Sequence, residues 1–260
     1  MTDGIVFDLL TGSATLVGDG FVTATLNVET LGLTSGAGDD RIRGTRGEDD
    51  LDGQAGNDSL LGAAGGDFLH GGRGRDTLRG GADGDFLLSG SGGEDLVDGG
   101  DGNDVLRGMP GDDRLIGRAG NDTMEGGQHD DQLFGGAGHD RLWGNAGRDT
   151  LTGGQGQDSF GFHLEPTAGE WDTLTDFDPA QDTIRLHARS FAGMAEGALA
   201  EGVFAATADG AAQQTAQRLL YATETGALYF DRDGSGAVAA VQFAQLSTGL
   251  ALAAEDFFLF

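Results

Sequence analysis

The chain has 260 residues, of which 50 are glycine, 3 are proline and none is cysteine, and its 43 acidic residues against 15 basic ones give a formal charge of −28. Collagen is excluded, because it needs glycine at every third position and abundant proline, and without cysteine there are no disulfides and no thiolate metal sites. So negative a chain repels nucleic acid and anionic membranes, and its self-repulsion on compaction points to a cationic partner, a metal above all.

Residues 1–34 open with "MTDGIVFDLLTG", which lacks the basic n-region and apolar h-region of a cleaved signal peptide. The chain is therefore expected to stay inside the cell, or to leave by a route that reads another part of it. Alternating apolar residues through "GIVFDLLTGSATLVGDGFVTATLNVETLGLTS" predict a strand-rich N-terminal cap, or the trailing part of something longer. No apolar run approaches the length of a membrane span.

From Ser35 to Gly161 the sequence repeats every nine residues, as in "GGRGRDTLR" (71–79). Fourteen blocks fit if one residue, Asp98, is taken as an insertion. The first position is glycine except at Ser35 and Ser89, and the fourth is glycine except at Asp83 and His129. The sixth is aspartate except at Glu94, and the eighth is always apolar. A disordered glycine- and aspartate-rich linker could share this composition but has no reason to keep an apolar residue in phase.

Gly-x-x-Gly-x-Asp cannot propagate a helix and suits a turn with left-handed backbone angles, which Asp and His tolerate better than most residues. The last three positions form a minimal strand whose middle side chain faces inward. Each block is then half a circuit, and two blocks make one turn of a coil with two short parallel sheets facing each other. Stacked turns lie about 4.8 Å apart, so sixth-position carboxylates fall into two columns. One holds Asp40, Asp58, Asp76, Glu94, Asp113, Asp131 and Asp149, and the other Asp49, Asp67, Asp85, Asp104, Asp122, Asp140 and Asp158. Like charges at that spacing cost on the order of 3 kcal/mol each at an effective dielectric near 20. One leucine per block, worth about 1.5–3 kcal/mol, must also offset the ordering of nine residues, so the metal-free coil is expected to be unstable. A hard divalent cation between turns reverses that sign. Calcium takes six to eight oxygens in flexible geometry, whereas magnesium wants a smaller octahedral site and zinc prefers nitrogen or sulfur; the five histidines share no ligand-like spacing. Several calcium ions are the expected cofactor.

The blocks match Gly-Gly-x-Gly-x-Asp-x-apolar-x, with "GGRGRDTLR" and "GGAGHDRLW" as full matches, and so resemble the RTX or hemolysin-type calcium-binding repeats over residues 35–161. The resemblance implies an all-β fold, a right-handed parallel β-roll (RTX solenoid) with β-rich capping flanks. It further implies that calcium sits in the turns and that the roll folds on meeting calcium outside the cell. By position, the fourteen sixth-position carboxylates become the side-chain ligands, completed by carbonyls of neighbouring turns. The stretch 89–98 departs from the pattern and is expected to bulge one turn and weaken a site; Asp40, Asp49, Asp149 and Asp158, in terminal turns, are expected to bind less tightly. The N-terminal stretch is similar to the strand-rich lead-in of such proteins.

Residues 162–260 are expected to form a C-terminal cap and secretion-signal region. "EWDTLTDFDPAQDTIRLHA" is similar to the segment after the repeats in serralysin-type secreted proteins, and reads as a cover for the open end of the solenoid. A further calcium site could draw on Asp172, Asp176 or Asp182. Residues 191–217 are alanine-rich and weakly periodic, predicting a short helix and a loop. "RLLYATETGALYFDRDGSGAVAAVQFAQL" predicts strands joined by turns at "TETG" and "DRDGSG". The latter is not an EF-hand loop, because the twelfth position from Asp231 is Gln242. "AAEDFFLF" resembles the uncleaved C-terminal signal read by bacterial type I secretion machinery, and also suits a final packed strand.

No His-Glu-x-x-His or Gly-x-Ser-x-Gly occurs, so no zinc-protease or lipase signature is present. His70, His129 and His139 sit at variable repeat positions and are expected to face solvent. Outward apolar residues, Leu61, Val97, Ile116 and Phe134 on one sheet and Phe68, Phe86 and Val105 on the other, could serve a glycan or cell-surface partner. The sequence thus predicts an extracellular, secreted calcium-binding β-roll without catalysis of its own. The alternatives are a surface adhesin or glycan-binding module, or the calcium-binding C-terminal part of a larger secreted hydrolase or toxin.

Overall fold

The computed structural model describes residues 30–200, 202–234 and 238–260, together with the strands Val6–Asp8 and Ser13–Thr15. The rest of the N-terminal stretch lies outside the described residues. Each nine-residue block is a turn followed by a strand, and each strand pairs in parallel with the strand two blocks on. Ser59–Ala64 pairs with Thr77–Ala82 in the register Leu60↔Leu78, and Phe68–Gly72 with Phe86–Gly90 in the register Leu69↔Leu87. Successive strands therefore alternate between two sheets, of 13 and 12 strands among the described residues. This is the parallel β-roll that the repeat predicts. Ser13–Thr15 adds to the first sheet beside Gly32–Thr34, and Val6–Asp8 pairs antiparallel with Ser13–Thr15.

The inner faces meet in a core one side chain deep per block. Leu51, Leu69, Leu87, Leu106, Met124, Leu142 and Phe160 from one sheet face Leu60, Leu78, Val97, Leu115, Leu133 and Leu151 from the other, nearly all inaccessible to solvent. From Gly56 to Gly156 the fourth position of every block turns left-handed to reverse the chain. Even its two non-glycine occupants comply, Asp83 at φ 74° and His129 at φ 81°. Both belong to the minority of residue types that accept this region at modest cost.

Around residue 90 the spacing of equivalent residues changes from 18 to 19. Leu69 aligns with Leu87, but Leu78 aligns with Val97 and Leu87 with Leu106. The extra residue lies in the turn between Gly90, which stacks on Gly72, and Gly93, which stacks on Gly74, and not at Asp98. Asp98 instead aligns in the ladder with Arg79 and Ile116. Val97, expected to point outward, is consequently a core residue, and Leu96 is half-buried.

Beyond Gly161 both sheets continue. Asp172–Leu174 pairs with Thr150–Gln155, and Thr183–Leu186 with Ser159–Phe162. Leu219–Ala222 and Ala227–Phe230 form the expected antiparallel pair, and Val241–Gln245 joins antiparallel to the second and parallel to Asp172–Leu174. The helix expected within 191–217 does not form. Gly197–Ala198 and Phe204–Thr207 are short strands, and the described residues contain no α-helix. Edge pairing with Phe257–Leu259 and Leu219–Ala222 outweighs the helix propensity of the alanines there, which the weak apolar periodicity does not reinforce. Phe257–Leu259 pairs in parallel with Thr183–Leu186, so the terminal apolar run is a packed strand with Phe257 and Leu259 buried.

Candidate metal columns

Each column aspartate ends a turn and enters a strand, where its carbonyl accepts from the strand of the next turn, as Asp58 does from the Thr77 N–H, while its own N–H is left to a carboxylate. Its side chain folds back under the neighbouring turn. In the first column the Asp40 N–H donates to Asp58 Oδ1 at 2.7 Å, Asp58 to Asp76 at 2.7 Å, Asp113 to Asp131 and Asp131 to Asp149, both at 2.8 Å. In the second, Asp67 donates to Asp85, Asp85 to Asp104, Asp104 to Asp122 and Asp122 to Asp140, all at 2.8 Å. The columns predicted from the ninefold repeat are thus present, with one backbone N–H interposed between successive carboxylates.

Glu94 is not part of the first column. Asp95 takes its place, accepting from the Asp76 N–H at 2.7 Å and donating to Asp113 Oδ1 at 2.8 Å. Glu94 is exposed and pairs with Arg75 at 2.5 Å. With the insertion in the turn, Asp95 rather than Glu94 stands two residues before the core side chain, Val97. Sequence reasoning missed it because Glu94 satisfied the count from the block's first residue; the Glu-Asp pair was the signal that two phases competed. The columns also run past the repeats. The Asp149 N–H donates to Asp172 Oδ1 at 3.1 Å and the Asp158 N–H to Asp182 Oδ1 at 3.0 Å. Asp176 accepts from the N–H groups of Gly153 and Gly154 instead.

One carboxylate oxygen is accounted for; the other is not. The Oδ2 atoms of Asp58, Asp67, Asp76, Asp85, Asp95, Asp104, Asp113, Asp122, Asp131, Asp140 and Asp149 are buried without a hydrogen-bond partner, as are both oxygens of Asp40. A buried acceptor left in this state costs about 1–3 kcal/mol, more for a charged group. Asp49, at the start of the second column, differs: it accepts from the Leu31 N–H at 2.6 Å and from the Thr45 N–H at 2.5 Å.

Outside the blocks of Asp40 and Asp95, which open with serine, the orphaned oxygens face the first-position glycines. A Cβ built on Gly53 would lie 2.5 Å from Asp58 Oδ2 and 2.6 Å from the Gly71 carbonyl oxygen, and one on Gly108 would lie 2.7 Å from Asp113 Oδ2 and 2.5 Å from the Gly126 carbonyl oxygen. The same pair of walls, a carboxylate from its own block and a carbonyl from the next turn, stands in front of Gly62, Gly71, Gly80, Gly117 and Gly135, while at Gly99, Gly126, Gly144 and Gly153 the nearest wall is the carboxylate. No three histidine or carboxylate side chains converge among the described residues. The donors are therefore carboxylate oxygens in single file and backbone carbonyls, an all-oxygen set that fits calcium and not zinc.

The electrostatics agree. Burial pushes the carboxyls of Asp58, Asp85, Asp113 and Asp122 up to about 7, the flanking column carboxylates push the same way, and the donated N–H opposes both. Asp131 is pushed up to about 9. Desolvation, rather than repulsion between neighbours, is the larger cause. Of the repeat histidines, His129 and His139 are exposed, while His70 is half-buried beside Asp52, 3.4 Å from its carboxylate. Among the apolar residues expected outside, Phe68 is exposed and stacks on Phe86 with centroids 5.3 Å apart, and Phe134 lies under Arg114.

The profile of the RTX calcium-binding nonapeptide repeat matches four times, over residues 34–69, 61–93, 89–124 and 125–160. No curated protein matches the chain. Among solved structures, the chain is similar to a repeat subunit (AlgE6R3) of the Azotobacter vinelandii mannuronan C5-epimerase, at 22% identity over 73% of this chain and 77% of that one, with a TM-score of 0.28. It is also similar to the extracellular lipase LipA from Serratia marcescens, at 19% identity over 91% of this chain but 41% of the lipase, with a TM-score of 0.23. Neither score carries an argument about function.

Proposed function

Residues 34–160 belong to the RTX calcium-binding nonapeptide-repeat family, and from that premise we propose that the chain is a secreted calcium-binding β-roll that orders when it meets extracellular calcium and performs no catalysis itself. The observation that carries this reading is the run of buried aspartate oxygens without a partner, most of them facing a glycine cradle, as Asp58 faces Gly53 beside the Gly71 carbonyl and Asp113 faces Gly108 beside the Gly126 carbonyl. Calcium supplies positive charge and open coordination positions there. The chain supplies one carboxylate oxygen per turn, orients it by the N–H bound to its twin, and keeps the cradle free by glycine. Of the predicted ligand residues, Glu94 loses that role in this reading, its place in the column passing to Asp95, and Asp49 contributes least because Thr45 already satisfies it.

Metal binding and folding are then one equilibrium, since the unfolded chain holds no such site. The flanks act as caps, covering the ends of the core. Export by a type I route suits a chain that must remain unfolded until calcium is met, and the absence of hydrolase signatures supports a binding role.

The test is a far-UV circular dichroism titration of metal-depleted protein with calcium chloride, with magnesium chloride as control. A cooperative gain of β signal with calcium alone is the expected result. A spectrum already folded in EDTA and unchanged by calcium would refute the folding switch.

A further inference from the structure

Two blocks open with serine instead of glycine, Ser35 and Ser89, and both belong to the column of Asp40 and Asp95. Their side chains enter the cradle that glycine leaves open elsewhere. Each serine carries the Cβ that, at Gly53 or Gly108, would stand between a carboxylate oxygen and the carbonyl of the next turn, and it carries an oxygen beyond that. Ser35 Oγ donates to the Gly53 carbonyl at 2.8 Å, and Ser89 Oγ donates to the Gly108 carbonyl. In each case the acceptor is the first-position carbonyl one turn on, the same group that lines the cradle in the glycine blocks. Both serines are buried, at 4% and 0% exposure.

We propose that Ser35 and Ser89 each close one calcium position, so that the hydroxyl bridges the two turns in place of a cation. This rests on the calcium reading and adds to it which positions stay unloaded. The closed position at Ser89 falls at the turn with the inserted residue, where the two halves of the roll are joined through a 19-residue step.

Calcium ions per chain are counted by native mass spectrometry on the full chain loaded with calcium chloride, with circular dichroism to verify folding. Ser89→Gly and Ser35→Gly remove atoms and relieve no packing on which the core depends; each is expected to bind one ion more than the parent chain. Gly53→Ser, which copies the closed arrangement, is expected to bind one ion fewer. Ser89→Ala keeps the Cβ in the cradle and is expected to leave the count unchanged. Parent-like counts in both glycine variants would overturn the proposal while leaving the calcium reading intact. A parent chain that binds no calcium would remove both.

Discussion

The roll and the C-terminal segment share two sheets but are held together differently. Within 35–161 each block contributes one apolar side chain to the core and buries one carboxylate, and in most blocks the second oxygen of that carboxylate has no hydrogen-bond partner. After residue 161 the core is aromatic and interlocked. Phe162 and Phe191 both meet Phe243 edge-on at 5.1 Å, and Phe191 meets Phe230 at the same distance. Tyr221 is fully buried yet donates its hydroxyl to the Ser247 carbonyl at 2.6 Å. The roll needs something from outside to complete its polar groups, whereas the C-terminal segment completes its own carboxylates and leaves only Arg185 Nε without a hydrogen-bond partner among its described buried side chains.

That contrast breaks most visibly under truncation of the two cores. Phe191→Ala should cost about 3–5 kcal/mol and lower the urea midpoint with or without calcium. Leu115→Ala should cost about 2–5 kcal/mol and be measurable only with calcium present, because without it the roll has little structure to lose. Equal effects of both variants in EDTA would erase the distinction. A smaller effect is expected from Gly117→Ala, whose Cβ would meet Asp122 Oδ2 and lie 2.6 Å from the Gly135 carbonyl oxygen. It should move the calcium midpoint of the folding titration several-fold higher while sparing the C-terminal melt.

Acidification acts on the column carboxyls. Burial pushes the carboxyls of Asp58 and Asp113 up to about 7 in the folded chain, against an ordinary 3.8. A raised folded pKa means that the folded roll takes up protons which the unfolded chain releases. That contribution favours folding fully below about pH 4 and is lost as the pH rises through 7. Metal-depleted protein should therefore show more β signal at pH 5 than at pH 7.5, while calcium affinity falls over the same interval as protons compete for Oδ2. A metal-depleted spectrum that gains structure with rising pH would contradict this. The smallest effect belongs to Arg75→Ala, which breaks an exposed pair with Glu94 and should shift stability by no more than about 0.5 kcal/mol in a calcium-loaded melt.

The ninefold register determined most of the roll. Because a strand alternates faces with a period of two and the coil repeats every two blocks, an apolar residue kept at one phase had to be core, and an aspartate two residues earlier had to enter a column. Leu60, Leu78 and Asp58 needed no tertiary information. Where the phase was interrupted, the sequence allowed two alignments, one with Glu94 and Leu96, the other with Asp95 and Val97. Only stacking on the turns of Asp76 and Asp113 chose the second, because the shorter Asp95 accepts the Asp76 N–H while its own N–H reaches Asp113 Oδ1. Past residue 161 the spacing between column members becomes irregular, so the continuation of the columns to Asp172 and Asp182 was beyond any local count. The same holds for Phe257–Leu259, which completes the first sheet between two strands of earlier sequence. Periodic sequence fixes neighbours by phase alone, whereas aperiodic sequence leaves the choice of neighbour to the packing of the assembled chain.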